Sequence, residues 1–600
     1  MKIIVTNAKL KVEYFSESAE LQKYINEEIA YQVNPLDPDR FNKKAFRMHV
    51  WDGRVKLFNP KVGEAPSGLF SDVLKAVKNC MGKYPMINLD AVDRRGSKLE
   101  TVHKVFPKDS KYKLKENEPE LTLKDHQIKG VQFAMDNQLG TINYATASGK
   151  SAVAFALIGE LLPKLKANEL IFLTEKSVSL AKQLKAGIEL ALGIKVGMWG
   201  AGKEDIQQVT VATCGTMASG LKPPEDTVKL TSLKDKVTQH FAKDYVPLFI
   251  DQDNAKALIK TYLMNHQPRY KYDVEIFNQL TEIAKLPTSK IQKALKWQAQ
   301  AYDKLLKKKA KKAYDKYNQT KDILNRVRAV IVDEAHEAAA NSYQLALLNM
   351  PNARLRIGLT GTVPSHTENM VRWTKFKGIF GDNIIKVSNH EMIEKGFAAK
   401  PTIKLVPINQ PVKLDNQIDI QLPPNLPKRM QPLAKYQLAY KLGIINNSFR
   451  NKLIELLTKK LVALKNGPVL IIVSEIDHGE ILQSGLQNLG IPSKFIYGDK
   501  TMDERQAIFD LIKNNQSPVL IGTQLLDTGI DIPNLKYLIY VSGGKSIRQV
   551  LQRIGRMLRK TANKKTTTIF DLQDHTTNIL YKQAQARVKI YQDEQFEIEG

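Results

Sequence analysis

The stretch that decides the fold is Thr141-Ile142-Asn143-Tyr144-Ala145-Thr146-Ala147-Ser148-Gly149-Lys150-Ser151. A short apolar run ends in a small-residue turn, and an apolar helical pattern, Ala152–Leu162, follows directly. Strand, turn and helix in that order make a phosphate cradle, because backbone N–H groups and the helix N-terminus point at one spot. In this reading Thr146, Ala147, Ser148 and Gly149 wrap the phosphates. Lys150 meets the β and γ phosphates, and Ser151 holds a Mg²⁺ ion. The match departs from the ideal pattern: Tyr144 stands where the first glycine belongs, and one glycine remains. Alone, Ser-Gly-Lys-Ser also reads as an ordinary surface turn.

Outward from this segment, apolar strand-like runs recur at Leu170–Thr174, Val209–Thr213, Ala329–Val332 and Arg356–Leu359, separated by helical or longer segments. A second series sits at Val469–Val473, Lys494–Tyr497, Val519–Gly522, Tyr537–Val541 and Thr567–Asp571. Strands alternating with helices predict parallel α/β sheets, here two similar lobes joined near Glu391–Pro401. Asp333-Glu334-Ala335-His336 caps the run Ala329–Val332. A carboxylate at a strand end lies beside a bound nucleotide. Asp333 is expected on Mg²⁺, and Glu334 is expected to orient and deprotonate the attacking water. In the second lobe, Gln552-Arg553-Ile554-Gly555-Arg556-Met557-Leu558-Arg559 puts Arg556 and Arg559 three apart on one helix face. Arginines there can supply transition-state charge across a closing cleft.

In that order these segments resemble superfamily 2 helicases of the DEAH type, from about residue 121 to 571. The resemblance implies two tandem RecA-like parallel-sheet lobes, ATP and Mg²⁺ as cofactors, and ATP-driven movement on nucleic acid. It makes Gln127, in Leu123-Lys124-Asp125-His126-Gln127, the adenine contact. It makes Thr360 and Thr362 of Thr360-Gly361-Thr362, with His336 and Gln552, the groups that couple hydrolysis to movement. Thr523–Pro533 resembles the fifth helicase motif, so Gly529 and Asp531 are expected at the nucleotide, and Arg559 is expected to be the finger. Leu173–Gln183, Thr213–Thr216 and Val473–Glu475 match segments that touch the nucleic-acid backbone; with the fifth motif they bring in Thr174, Thr213, Thr216, Ser474, Thr523 and Gln524.

Further upstream, Trp51-Asp52-Gly53-Arg54-Val55-Lys56-Leu57-Phe58 with Gly68-Leu69, and Asp477-His478-Gly479 downstream, resemble the phage recombination helicases of the UvsW group. That group regresses forks, migrates Holliday junctions and unwinds R-loops, moving 3′ to 5′. Arg54 and Lys56 are then candidates for DNA phosphates. Trp51–Phe58 also reads as a hairpin turning at Asp52-Gly53, with Trp51 and Phe58 as packing residues.

The expected organisation is therefore an α+β accessory DNA-binding domain at 1–103, a charged linker at Lys104–Pro119, lobe 1 at 117–392 and lobe 2 at 393–600. Within the first hundred residues, Ser18–Ile29 reads as an amphipathic helix. A mostly helical insertion at 218–326 interrupts lobe 1 and departs from the compact UvsW pattern. Residues 221–328 hold 23 Lys or Arg against 12 Asp or Glu, and Ala301–Arg328 reads as a Lys-rich helix with Tyr302, Leu305, Leu306, Ala310, Ala313 and Tyr317 as one stripe. The insertion is expected either to hold duplex arms or to be a solvated face.

The whole chain carries 90 Lys and Arg against 62 acidic residues, a formal charge of +28, which favours a polyanionic partner. Two cysteines, Cys80 and Cys214, exclude a disulfide framework and a four-cysteine zinc site, and fit a reducing compartment. The start lacks a signal-peptide pattern, and no apolar run approaches the ~18 residues of a membrane span. The expected partners are single-stranded and branched duplex DNA and an RNA–DNA hybrid, with no membrane. The chain is expected to act as a monomer on DNA in the cytoplasm of a bacterial host. A duplex translocase of a restriction or repair complex, a nucleic-acid clamp with weak ATPase, and an RNA helicase stay open as alternatives.

Overall fold

Backbone polarity and strand register place the site. The computed structural model describes the chain except residues 15–17, 39, 41–42, 44, 46–47, 49, 86, 115–118, 146–147, 175–177, 201, 224–231, 368, 409–413, 424, 428–429, 499–501, 515, 524–534, 545–549, 551–554, 556–565 and 600. It falls into two compact units, Met1–Cys214 with Val327–Gly600, and Gly215–Arg326.

The first unit begins with β1 (Lys2–Val5), β2 (Lys9–Glu13), β3 (Glu64–Pro66) and β4 (Asp90–Asp93), in sheet order β3-β2-β1-β4. The helix Ala19–Val33 is capped by Ser18, whose Oγ accepts from Leu21 N at 3.2 Å. It buries Ile25, Ile29 and Val33, one side chain per turn. The Asp52-Gly53 turn forms, with Gly53 at φ +80°, but the bridge it makes pairs Arg54 with Leu36. Phe58 is wholly buried, and Trp51 donates its indole N–H to Arg54 O at 2.8 Å.

The segment expected as a linker is packed where it is described. Phe106 is buried in the core of the following lobe, and its N–H donates to Gln132 Oε1 at 2.8 Å. The two-residue strands β5 (Lys111–Tyr112) and β6 (Leu121–Thr122) pair with each other. The charge of Lys104–Pro119 hid that one anchoring aromatic.

Lobe 1 is an eight-stranded sheet built from β7 (Leu139–Tyr144), β8 (Leu170–Thr174), β9 (Gly197–Gly200), β10 (Lys203–Asp205), β11 (Val209–Thr213), β12 (Ala329–Val332), β13 (Leu355–Thr360) and β14 (Ile384–Val387). Its order is β10-β9-β11-β8-β12-β13-β7-β14, parallel except for β10 against β9. Val and Ile runs buried on both faces are what such a sheet requires.

Lobe 2 is a seven-stranded, all-parallel sheet in the order β17-β18-β16-β19-β20-β15-β21, formed by β15 (Lys400–Ile408), β16 (Val469–Ile472), β17 (Ser493–Ile496), β18 (Val519–Gly522), β19 (Tyr537–Tyr540), β20 (Thr566–Asp574) and β21 (Glu597–Glu599). The chain has the two RecA-like lobes expected.

The second unit, described by itself, is helical among its described residues. Helices Leu233–His240, Ala255–Asn265 and Lys271–Lys285 pack with the first turns of Thr288–Arg326 around Phe241, Phe249, Ile259, Ile276, Leu280 and Leu295. The last helix has 39 residues and starts well before Ala301. At 1.5 Å per residue it is about 58 Å long.

Candidate functional site

Because β8, β12, β13 and β7 are parallel neighbours, their C-terminal ends share one edge of lobe 1. The phosphate loop leaves β7, Asp333 and Glu334 leave β12, Thr360 ends β13, and Thr174 ends β8. The edge of a parallel sheet beyond its carboxyl ends is where ligands bind in α/β folds. Strands about 4.8 Å apart put Lys150 and Asp333 on either side of the single intervening strand β13.

The loop is braced from beneath. Gly149 adopts φ +82°, and a Cβ there would stand 2.2 Å from Gln127 Nε2. The Gln127 amide donates to Ser148 O at 2.9 Å and accepts from Lys124 N at 2.8 Å. His126 Nε2 also meets Ser148 O at 2.9 Å. Both ends of the Gln127 amide are thus engaged within the protein, where the sequence suggested an adenine contact. Tyr144 is buried, and its hydroxyl donates to His126 O at 2.6 Å. A Cβ on Gly130 would fall 2.9 Å from that hydroxyl, so the glycine absent from the loop is matched by one in the preceding helix. Gly130 was the signal that could have explained Tyr144.

Lys150 begins the helix Lys150–Leu161 and donates to Tyr144 O at 2.9 Å and Ala145 O at 3.3 Å. Those neutral acceptors hold the ammonium in the mouth of its own loop. Ser151, next to it, is exposed. Ser148 Oγ is buried with no hydrogen-bond partner among the described residues, a polar group of the kind that a phosphate oxygen satisfies. A left-handed glycine, a lysine at the loop mouth and an orphaned buried hydroxyl fit a nucleotide phosphate. Ser151 and Asp333, both hard oxygen donors, suit Mg²⁺. Thr146 and Ala147 lie outside the described residues.

Glu334 adopts φ +48°, an uncommon conformation for a residue with a side chain. It opens the short 3₁₀ turn Ala335–Ala339, which carries His336. His336 is buried, with Nδ1 3.0 Å from Thr360 Oγ1 and 3.2 Å from Glu334 Oε2. Thr360 Oγ1 donates to Thr362 O at 2.8 Å, so toward His336 it can only accept, which places the proton on Nδ1. Three of the four expected coupling residues therefore form one chain of contacts, from Glu334 through His336 to Thr360 and Thr362. The fourth, Gln552, lies outside the described residues.

Of the expected backbone contacts, Thr174 is fully buried with Oγ1 lacking a partner among the described residues. Thr213 is buried at the end of β11, and Thr216 belongs to the helical unit. In lobe 2, Ser474 follows β16 and is half-buried, while Thr523 follows β18 and is buried. Gln524, Gly529, Asp531, Arg556 and Arg559 lie outside the described residues. Arg54 is held inside its own domain: its Nη1 donates to Tyr31 O at 2.9 Å and Asn34 O at 2.8 Å, closing the end of a helix. Lys56 is exposed.

Two family models match the chain: the res subunit of type III restriction enzymes over residues 120–365, and the helicase conserved C-terminal domain over 450–561. Over these two segments the chain is similar to superfamily 2 helicases. Putative helicase 22 of a Sulfolobus islandicus filamentous virus is 26% identical over 298 residues, 48% of this chain and 49% of that one. The ATP-dependent DNA helicase uvsW of Enterobacteria phage T4 is 25% identical over 294 residues, 46% of this chain and 55% of its own. The DEAD-box ATP-dependent RNA helicase 52A of Oryza sativa is 29% identical over 132 residues, 21% of this chain and 22% of its own. The chain thus spans about half the length of the first two relatives. No helix among its described residues is long and apolar enough to cross a membrane.

Proposed function

We propose that the chain is an ATP-dependent DNA helicase or translocase that remodels branched DNA. The observation that carries this reading is the shared edge of lobe 1, where the lysine loop, the Asp333-Glu334 pair and the His336–Thr360 contact meet. Lys150 takes the β and γ phosphates, Ser151 and Asp333 hold Mg²⁺, and Glu334 orients and deprotonates the attacking water. A bound Mg²⁺ would spread the charge that develops on the transferring phosphoryl group. Arg556 and Arg559 approach from lobe 2 as the finger pair, and Gln552 answers His336 across the cleft. Gly529 and Asp531 complete the nucleotide contacts. Thr174, Thr213, Thr216, Ser474, Thr523 and Gln524 grip the strand through its phosphates, as a motor indifferent to sequence must. Residues 1–103 serve as an accessory DNA-binding domain, with Lys56 on its exposed face. The protein works as a monomer in a host cytoplasm.

Likeness to the phage DNA helicase supports DNA and branch remodelling as the target. Two other readings have an observation behind them: an RNA helicase, from the plant relative, and a duplex translocase, from the restriction-subunit model. ATP turnover measured with single-stranded, duplex, forked and four-way DNA and with RNA separates them. Stimulation greatest on forked or four-way DNA, with strand displacement, supports the proposal. Stimulation by RNA alone, or by blunt duplex without strand separation, rejects it.

A further inference from the structure

The 39-residue helix Thr288–Arg326 has two unlike faces. On one lies the stripe Tyr302, Leu305, Leu306, Ala310, Ala313 and Tyr317, half-buried throughout. Beside it Lys309 Nζ meets Asp235 Oδ2 of the neighbouring helix at 2.7 Å, and the Lys243 ammonium lies over the Tyr302 ring at 5.7 Å. That side is occupied by the unit's own packing.

The opposite face is not. At 100° per residue, Lys290, Lys293, Lys304, Lys307, Lys308 and Lys311 gather there, and all are exposed. Trp297 stands among them, 61% exposed. Asp303 falls to the flank, and no acid interrupts the face before Asp315. Like charges three and four residues apart destabilise an isolated helix. An exposed indole likewise forgoes burial. Both features become favourable against a polyanion that also offers flat rings.

We propose that this face binds single-stranded nucleic acid, with the lysines on successive phosphates and a base stacked on Trp297. Several observations select that occupant. Lysine is a point charge suited to phosphates and lacks the planar fork that arginine uses to read base edges. A tryptophan face is a stacking platform only for a base released from a duplex. Six lysines over roughly 30 Å of helix are also sparse beside a duplex, which carries a charge about every 1.7 Å. This inference rests on the reading of the chain as a nucleic-acid motor and assigns to the insertion the strand that unwinding releases.

The test uses the full chain, a fluorescent twenty-nucleotide oligo-dT and a fluorescent duplex of the same length, titrated across a series of salt concentrations. One variant combines Lys304→Ala, Lys307→Ala, Lys308→Ala and Lys311→Ala; the others are Trp297→Ala and Trp297→Phe. All the changed side chains are exposed, and basal ATP turnover without nucleic acid reports that the lobes remain folded. The lysine variant is expected to lose about tenfold or more in oligo-dT affinity, with the log–log salt slope reduced by roughly 3, at about 0.7 per phosphate released. Trp297→Ala is expected to weaken oligo-dT binding about fivefold or more, with Trp297→Phe retaining most of the affinity and duplex binding unchanged. Wild-type affinity and slope in both the lysine variant and Trp297→Ala overturn the proposal. So does equal loss on duplex and oligo-dT with Trp297→Ala silent, which would make the face a duplex clamp. Either result with normal basal turnover leaves the nucleotide site standing.

Discussion

In the proposed motor, His336 is the residue through which a change at the nucleotide reaches the rest of the lobe. Its Nδ1 sits between Glu334 and Thr360, one leaving β12 and the other ending β13, so movement of the Glu334 carboxylate alters the hydrogen bond to Thr360. Glu334 itself holds a left-handed backbone that non-glycine residues seldom adopt, the kind of local strain that gathers at working sites. Glu334→Gln keeps the shape and removes the proposed base. ATP affinity should stay within about threefold of wild type while single-turnover hydrolysis slows at least a hundredfold, the scale of a lost general base. Hydrolysis near the wild-type rate would assign the base elsewhere. In lobe 2, His478 plays a different part. It is buried, donates Nε2–H to Asn451 Oδ1 at 2.9 Å, and is pushed down to about 3 by burial, with the Arg450 charge adding to the effect. The unfolded chain binds a proton on this ring below about pH 6.5, and the folded chain does not. Stability from this group is thus complete above that pH and falls as the pH drops toward 3, by up to about 1.4 kcal/mol per pH unit. Thermal unfolding should show a steeper loss of Tm between pH 6.5 and 5 in wild type than in His478→Gln, and parallel curves would remove His478 from the account.

Elements show where the sequence was legible and where it was not. The ten strand-like runs of the two series all correspond to strands, each buried along most of its length. The strands β9 and β15 were hidden for identifiable reasons. Gly197-Met198-Trp199-Gly200 carries a glycine at each end, and a Cβ on Gly197 would meet Asp205 O at 2.4 Å. β15 contains Pro401 and Pro407, which ordinarily argue against an inner strand. Both prolines lie outside Thr402–Lys404, the part of β15 that pairs with β21, while β20 pairs with the whole strand. At the candidate site, the strand, the Gly149 turn and the following helix, and the acidic end of β12, lie where the sequence put them. The bracing of the loop by His126, Gln127 and Tyr144 was not legible, since it depends on which side chains meet in space. Gly149→Ala combines a left-handed φ with a 2.2 Å approach to Gln127 Nε2. It should weaken nucleotide binding about tenfold, measured by titration with a fluorescent ATP analogue; unaltered affinity would show that the loop needs neither feature.

At the scale of the whole chain, the amino-terminal domain is seated on lobe 1 through contacts that composition could not reveal. Gly68 lies so close to the helix Met370–Phe380 that a Cβ would stand 2.2 Å from Lys377 O. Lys377 Nζ pairs with Asp72 at 2.8 Å and Asp382 at 2.6 Å. Burial works against that ammonium's charge, yet hydrogen bonds to Asp382 and Asp72 hold it above the ordinary lysine range. Gly68→Val should unseat the domain, seen as faster limited proteolysis between residues 94 and 120 and a Tm lower by several degrees. A wild-type digestion pattern would mean the backbone shifts to absorb the side chain. The long basic helix, by contrast, was legible as charge and as the stripe from Tyr302 to Tyr317, while its start at Thr288, which brings Lys290, Lys293 and Trp297 onto the opposite face, was not. The proposed centre is the C-terminal edge of the lobe 1 sheet. The most direct test of that centre is steady-state ATP turnover with and without forked DNA for wild type and Lys150→Ala. The account predicts turnover that forked DNA stimulates severalfold in wild type, and a loss of at least about a hundredfold in the variant at unchanged thermal stability. Turnover by Lys150→Ala within a few fold of wild type would contradict it.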